Sequence, residues 1–414
     1  MSDKEGTNDN EASAAPEGKL FSTGKLEVFP VGKEKIFLPG KSIGILGSGQ
    51  LGRMSAMAAK NLGYRVVVYD ASPDGPACSV ADLSITAPFE DETALTRFAE
   101  EVDVVTVEFE NIPVSVLEFL GARVPVRPSA SVIRICQDRV LEKNFLESNG
   151  FPVAPFRVIT SAAELETGMS ELAAPSILKT AALGYDGKGQ IRLSPGDDTD
   201  AAWSQLGAPR AVLEKRITFV SECSVICARS PLGETRCFPV QENIHADGIL
   251  DVTIAPAALT AEVATRAQEI TAAIAEKLGV QGLITAEFFL LADGSLIVNE
   301  LAPRPHNSGH HTLETTITSQ FAQHIRAVCG LPLGSVELRS PGVMINLLGN
   351  LWQTGEPDWA LLLREPELFL HLYGKSEAKP GRKMGHFTLL GAGVSSRERA
   401  LDLREQMVPP TVKR

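Results

Sequence analysis

Two glutamates, Glu287 and Glu300, are spaced so that a β-hairpin would bring their carboxylates face to face. They lie in two runs of β-branched and aromatic residues, 284–291 and 295–301, on either side of Asp293-Gly294. That dipeptide favours a two-residue turn because both positions tolerate positive φ. Such a turn sets Ala292 against Ser295 and Glu287 against Glu300. Opposed Cβ atoms are about 5 Å apart, where like charges destabilise a sheet. The flanking positions, Phe288 to Leu291 and Leu296 to Val298, are apolar, so water screens the pair only in part. A divalent cation offsets the repulsion, and Mg²⁺, with Mn²⁺ as the alternative, suits one or two carboxylates completed by phosphate oxygens and water. Asn299 and Glu300 stand at the strand end where a nucleotide could supply those phosphates. The competing reading is a solvated edge with one carboxyl protonated, and a one-residue slip would part the two side chains.

A second stretch has the composition of a phosphate cover. A strand ends in Lys179, and Gly184-Tyr185-Asp186-Gly187-Lys188-Gly189-Gln190 follows before the chain returns. Its glycines let backbone amides approach phosphate oxygens while the lysines supply charge, although the order is not that of a P-loop and a plain hairpin loop remains the alternative. A strand over residues 211–214 then breaks at Lys215-Arg216-Ile217, where main-chain groups could read an adenine edge and Glu222 could reach a ribose hydroxyl. After the central hairpin, Pro303-Arg304-Pro305-His306-Asn307 cannot be regular structure, since each proline restricts the residue before it. The loop sets Arg304, His306, Asn307, Ser308 and His310 beside the phosphates, or is simply a turn before a helix over 313–329. A zinc pair of His306 and His310 is disfavoured because the prolines and Gly309 deny it a helix.

These groups need elements to position them. Residues 43–46 read as a strand running into Gly47-Ser48-Gly49-Gln50-Leu51-Gly52 and a helix, and the next strand leads to Asp70. The spacing matches a dinucleotide-binding fingerprint, which by itself suggests NAD; alternatively the glycines serve only turn and packing, leaving the helix start for another anion. The apolar run 102–107 ends in Glu108-Phe109-Glu110-Asn111, carboxylates at the end of a parallel strand where ligands bind. Residues 260–278 form an amphipathic helix with Thr260 as N-cap and Gly279 as its stop. Lys375, Lys379, Arg382 and Lys383 cluster near the C-terminus as a candidate anion site or as solvated charge.

Composition sets the class. The 414 residues are 44% hydrophobic and 22% charged, as in a soluble globular protein with two or three domains. A net charge of −12 argues against a nucleic-acid binder and favours small partners. The six cysteines form no metal-like spacing and read as reduced thiols. No apolar run is long enough to span a membrane and the first residues lack a signal-peptide core, which predicts a cytoplasmic protein. Residues 1–19 are polar and predict disorder, and residues 20–40 could add a peripheral strand.

Taken in order, the motifs ILGSGQLGRM from Ile45, VEFENIP from Val107, QDR from Gln137, LKT and GYDGKGQ from Leu178 and Gly184, ENIHADGIL from Glu242, NELAPRPHNSGHH from Asn299 and PGRKMGH from Pro380 resemble the ATP-grasp ligases of purine synthesis. Within them the likeness is to the N5-carboxyaminoimidazole ribonucleotide synthetase family, over residues 41–390. The resemblance implies an α/β and α+β fold: a Rossmann-like domain (41–132), an ATP-grasp unit (133–334) and a small β-rich C-terminal domain (335–414), after an extension (1–40). It implies that Arg139 and Lys179 contact ATP phosphates, that residues Gly184 to Gln190 cover them, and that Glu214, Lys215, Arg216, Ile217 and Glu222 hold the adenosine. His245, Asn299 and Glu300 would complete the ATP site, with Glu287 and Glu300 on Mg²⁺. The ribonucleotide would be held by Gln50, Leu51, Glu108, Tyr185, His306, Asn307, Lys375 and Arg382, and catalysis would rest on Lys179, His306 and Asn307. The implied reaction joins bicarbonate to 5-aminoimidazole ribonucleotide through carboxyphosphate at the expense of ATP, in a cytoplasmic homodimer. Asp251, where relatives often carry arginine, departs from the pattern and could weaken a contact near the nucleotide; Lys215-Arg216 departs from a more neutral hinge. A formate-using ATP-grasp relative, a nicotinamide oxidoreductase and a non-catalytic binding protein are the rival readings.

Overall fold

The computed structural model describes residues 35–182 and 189–409. Its first sheet is parallel: β1 (Ser42–Leu46), β2 (Arg65–Asp70), β3 (Leu83–Thr86) and β4 (Val104–Val107), in the order β3-β2-β1-β4. Crossover helices cover both faces, so β2 and β4 are almost wholly apolar and buried. Part of the segment expected to be peripheral belongs to this core: Phe37 is buried, its N–H donates to the Cys329 carbonyl, and its own carbonyl accepts from Tyr64.

The second sheet is antiparallel, with β5 (Phe156–Ile159), β6 (Ser176–Thr180), β7 (Gln190–Leu193) and β8 (Ala211–Lys215) in the order β5-β8-β6-β7. Helices Ala162–Leu172 and Thr199–Leu206 close one face, each capped by a side chain, Ser161 or Asp198, that accepts from a first-turn amide. The phosphate-cover residues Gly184, Tyr185, Asp186, Gly187 and Lys188, between β6 and β7, lie outside the described residues.

The third sheet has nine strands among the described residues: β9 (Ser221–Arg229), β10 (Thr235–Cys237), β11 (Gln241–Ala246), β12 (Ile249–Ala255), β13 (Gly282–Leu290), β14 (Leu296–Ala302), β15 (Gly342–Leu348), β16 (Leu368–Leu372) and β17 (Lys383–Leu390). They run in the order β14-β13-β9-β11-β12-β15-β17-β16, with β10 beside β9, so the C-terminal strands continue the sheet that carries the central hairpin. Helix Ala261–Leu278 lies across it, started by Thr260 and stopped by Gly279 at φ +68° as the sequence predicts, and packs Ala267, Ile270 and Ile274 against Val225, Ile284 and Phe288. The helix expected over 313–329 is instead two, Thr312–Thr315 and Gln320–Cys329. Threonine hydroxyls cause the break: Thr312 accepts from the Gln320 amide and Thr316 donates to the Thr312 and Thr318 carbonyls, satisfying main-chain groups that a continuous helix would pair.

The central hairpin corrects the expected turn. Its loop has three residues, Ala292-Asp293-Gly294, closed by Leu291 N–H to Ser295 O at 2.9 Å, with Gly294 at φ +83°. That sets Leu290 against Leu296 and Phe288 against Val298, one residue out from the expected register. A β-bulge at Asn299 then restores it, and Glu287 does oppose Glu300.

Candidate active site

The three sheets enclose a cleft of about 430 Å³. Glu287 and Glu300 lie in its wall together with Asn299, because the bulge turns two consecutive residues of β14 toward the same side. His306 Nε2 is 3.1 Å from Glu287 Oε1. Burial alone would push the Glu287 carboxyl up, but the hydrogen bond and charge of His306, with His245 and Lys383, hold it down at about 2, so it is ionised at neutral pH. Among the described residues no three His, Cys, Asp or Glu side chains converge on one metal position. The donor set is therefore a pair of carboxylates, which fits a Mg²⁺ ion whose remaining ligands come from phosphate and water.

Around this pair stand the expected phosphate groups. Arg139 Nη1 is 3.3 Å from Glu300 Oε2, and Lys179 Nζ donates to Glu214 Oε2 at 3.0 Å. His245 Nδ1 and Glu222 Oε2 are 2.8 Å apart on β11 and β9. Gly189 and Gln190 line the cleft where β7 begins. Glu214 does not: it is buried behind Lys179, held ionised between Lys179 and Lys143, and so charges the wall without forming it. The Lys215 and Arg216 N–H groups donate to Pro155 O and Pro175 O and are unavailable to adenine, whereas the Ile217 N–H has no hydrogen bond among the described residues. Phe219 and Phe289, given no role from sequence, stack at 4.5 Å and add an apolar wall beside that break.

At the other end Gln50, Leu51 and Glu108 enter from the first sheet. Glu108 accepts from the Gly49 N–H at 2.7 Å and the Leu51 N–H at 3.2 Å, and a Cβ at Gly49 would lie 2.2 Å from its Oε1. A carboxylate thus fills the helix start where a dinucleotide pyrophosphate would bind. Asp70 is occupied as well, accepting from the Ser48 and Ser72 amides. The two signals for NAD are turn structure.

His306 and Asn307 join that end to the carboxylate pair, His306 being in contact with Glu287. Gln320 grips the His306 main chain on both sides, its Oε1 accepting from the N–H at 2.9 Å and its Nε2 donating to the carbonyl at 2.7 Å. Both amide atoms of Asn307 are buried without a hydrogen-bond partner in the described structure, at the surface of the cleft. Arg304 makes a two-pronged ion pair with Glu110 that joins this loop to the end of β4. The sequence sets Arg304 beside the phosphates and Glu110 at a ligand-binding strand end; the structure pairs the two with each other. Lys375 and Arg382 do not line the cleft. Lys375 Nζ donates to the Lys383 carbonyl at 2.7 Å and Arg382 to the Glu377 carbonyl at 2.9 Å, while Lys383, whose main chain Lys375 braces, reaches the wall. Asp251 pairs with Arg404 on the C-terminal helix, so its departure from arginine touches no cleft residue named here.

A nucleotide cleft between an antiparallel lobe and a larger sheet, with a carboxylate pair opposite a lysine on the lobe, defines an ATP-grasp ligase. Family models agree in chain order: a ribonucleotide synthetase preATP-grasp domain over residues 40–137, an ATP-grasp domain over 144–321, and a phosphoribosylaminoimidazole carboxylase C-terminal domain over 342–400. An N5-carboxyaminoimidazole ribonucleotide synthase of Bacillus subtilis is 44% identical over 357 residues, 86% of this chain and 93% of the relative. The structure of an N5-carboxyaminoimidazole ribonucleotide synthetase in complex with ADP superposes with a TM-score of 0.85 at 44% identity, covering 90% of this chain and 97% of the other. The Aspergillus clavatus enzyme in complex with ADP and 5-aminoimidazole ribonucleotide gives 0.80 at 32% identity, covering 88% and 99%. The chain belongs to the N5-carboxyaminoimidazole ribonucleotide synthase family, ATP-dependent ligases of purine biosynthesis.

Proposed function

We propose that this enzyme uses ATP and bicarbonate to carboxylate the exocyclic amine of 5-aminoimidazole ribonucleotide. The observation that carries the reading is one cleft that brings the carboxylate pair and Lys179 together with Gln50, Glu108, His306 and Asn307, His306 touching Glu287 itself. Arg139 and Lys179 hold the ATP phosphates, with Gly189 and Gln190 beside them. Ile217 and Glu222, with His245, hold the adenosine, and Glu287, Asn299 and Glu300 face the phosphates from β13 and β14. Mg²⁺, or Mn²⁺, when bound by Glu287 and Glu300, supplies charge neutralisation at the phosphates. A bicarbonate oxygen attacks the γ-phosphorus, ADP leaves, and the carboxyphosphate formed is protected from water by the closed cleft. The ribonucleotide amine then attacks the carboxyl carbon and phosphate departs, while His306 and Asn307 orient the reacting groups. The working form is a cytoplasmic homodimer, which sedimentation of the purified chain tests.

The experiment is ADP release with bicarbonate and the ribonucleotide omitted in turn. Full activity requires both; formate in place of bicarbonate gives background, and a full rate without bicarbonate overturns the reading.

The ribonucleotide phosphate is assigned to Lys375 and Arg382, which stand beside the cleft-lining Lys383 and not in the lining itself. Arg382→Ala removes a charge-assisted contact of about 1.5–3 kcal/mol and should raise the Michaelis constant for the ribonucleotide roughly tenfold to a hundredfold. The constant for ATP should stay put. Equal rises in both would return the cluster to solvated surface.

A further inference from the structure

The bulge that presents Glu300 is not held by strand pairing, because the inserted residue, Asn299, has no partner on β13. β14 is the edge strand of its sheet, so its outward-facing main-chain groups lack a ladder partner and need others. They find them on helix Arg139–Ser148. Lys143 Nζ donates to the Asn299 carbonyl at 2.9 Å, and the Leu301 N–H donates to Glu142 Oε2 at 2.9 Å. Both side chains are excluded from water, Glu142 at 2% exposure and Lys143 at 1%. Residues of these types are almost never so buried unless paired, since desolvating them is unfavourable.

The register shows what those two contacts decide. Continued without a bulge, the three-residue turn would set Glu287 against Asn299 and Glu300 against Ala286, and Ala286 belongs to the apolar layer under helix Ala261–Leu278. With the bulge, Leu301 enters that layer instead and Glu300 turns to the cleft. Lys143 also lies 3.6 Å from Glu214 Oε2, the carboxylate that Lys179 grips at 3.0 Å, so one side chain links the bulge to the lysine of the smaller sheet.

We propose that Glu142 and Lys143 are positioning residues. By pinning the main chain on either side of Glu300, they fix which face it occupies and how far it stands from Lys179. The inference rests on the reading of Glu300 as a group of the ATP-phosphate end.

Variants at Glu142 separate reach from the carboxyl group. Glu142→Asp keeps a carboxyl but is one methylene too short for the Leu301 amide; Glu142→Gln keeps the reach and an acceptor oxygen but cannot ionise. Amide hydrogen exchange on the full-length protein without nucleotide is read at Leu301, with Phe289 in the same hairpin as reference. The Mg²⁺ concentration for half-maximal ADP release is measured alongside. Glu142→Asp should speed Leu301 exchange about tenfold and raise the Mg²⁺ requirement about tenfold, with Phe289 unmoved, and Glu142→Gln should stay near wild type in both. Lys143→Met removes the second contact and should reproduce the exchange signature, which keeps the test intact if a Glu142 variant does not fold. Wild-type Leu301 protection in Glu142→Asp, or a Glu142→Gln variant as impaired as Glu142→Asp, overturns the proposal. If exchange follows the expected order while Glu300→Gln leaves the Mg²⁺ requirement unchanged, the positioning role stands and the metal reading falls.

Discussion

Glu300→Gln should fold normally and lose nearly all ATP turnover. The substitution keeps the side chain's shape and an acceptor oxygen for Arg139, which approaches Glu300 Oε2 at 3.3 Å. It removes one of two carboxylates that face each other across β13 and β14. In the nucleotide-free protein that relieves like-charge repulsion, so cooperative melting should be kept. With ATP present, the phosphates lose the cation that two carboxylates would hold, worth several kcal/mol of stabilisation as charge shifts during phosphoryl transfer. A fall of about a thousandfold in ADP formation is the corresponding size. The measurement is ADP release at saturating Mg²⁺ by a variant whose melting is wild type. Near-normal release would remove Glu300 from the cation site and leave the carboxylate pair a feature of the sheet alone.

Arg304→Met should cause the largest loss of stability, with a characteristic pH dependence. Burial pushes the Glu110 carboxyl up, but the charge and hydrogen bonds of Arg304 outweigh it and hold it at about 2, below its ordinary 4.5. A carboxyl depressed in this way contributes stability above pH 4.5 that disappears as pH falls toward about 2. Methionine fills the space and leaves Glu110, about one-fifth exposed, without its main counter-charge, a loss of about 1.5–3 kcal/mol at neutral pH. Without Arg304 the balance reverses: burial dominates, and protonation of Glu110 relieves the variant as pH drops. The gap between wild type and variant should therefore be widest at neutral pH and shrink below pH 4.5. Urea melts at the two pH values measure it. A gap independent of pH would mean that Arg304 acts by packing, and that its link to Glu110 does not stabilise the loop bearing His306.

The hairpin shows how far sequence reading reaches. Apolar alternation and Asp293-Gly294 were enough to place a turn, because local propensity acts over a few residues; the pairing of Glu287 with Glu300 came out as expected only because a bulge offsets a longer turn. The turn has three residues, however, and by itself would have sent Glu300 into the apolar layer. What restores the pairing is Lys143 and Glu142, more than 150 residues earlier, reaching the bulge through contacts that no local pattern encodes. The glycine turn divides in the same way. Its strand, turn and helix were legible from spacing, but its chemistry was not, because the occupant of the helix start is Glu108, brought there by the pairing of β1 with β4. Cys329 and Phe37, and Glu110 and Arg304, likewise meet only in the fold. By itself the sequence determined the elements, their order, and which residue types could hold phosphate and cation. Only the tertiary structure decided which of them share one cleft and which, like Glu214, stand behind it, because burial and ion pairing depend on neighbours distant in the chain.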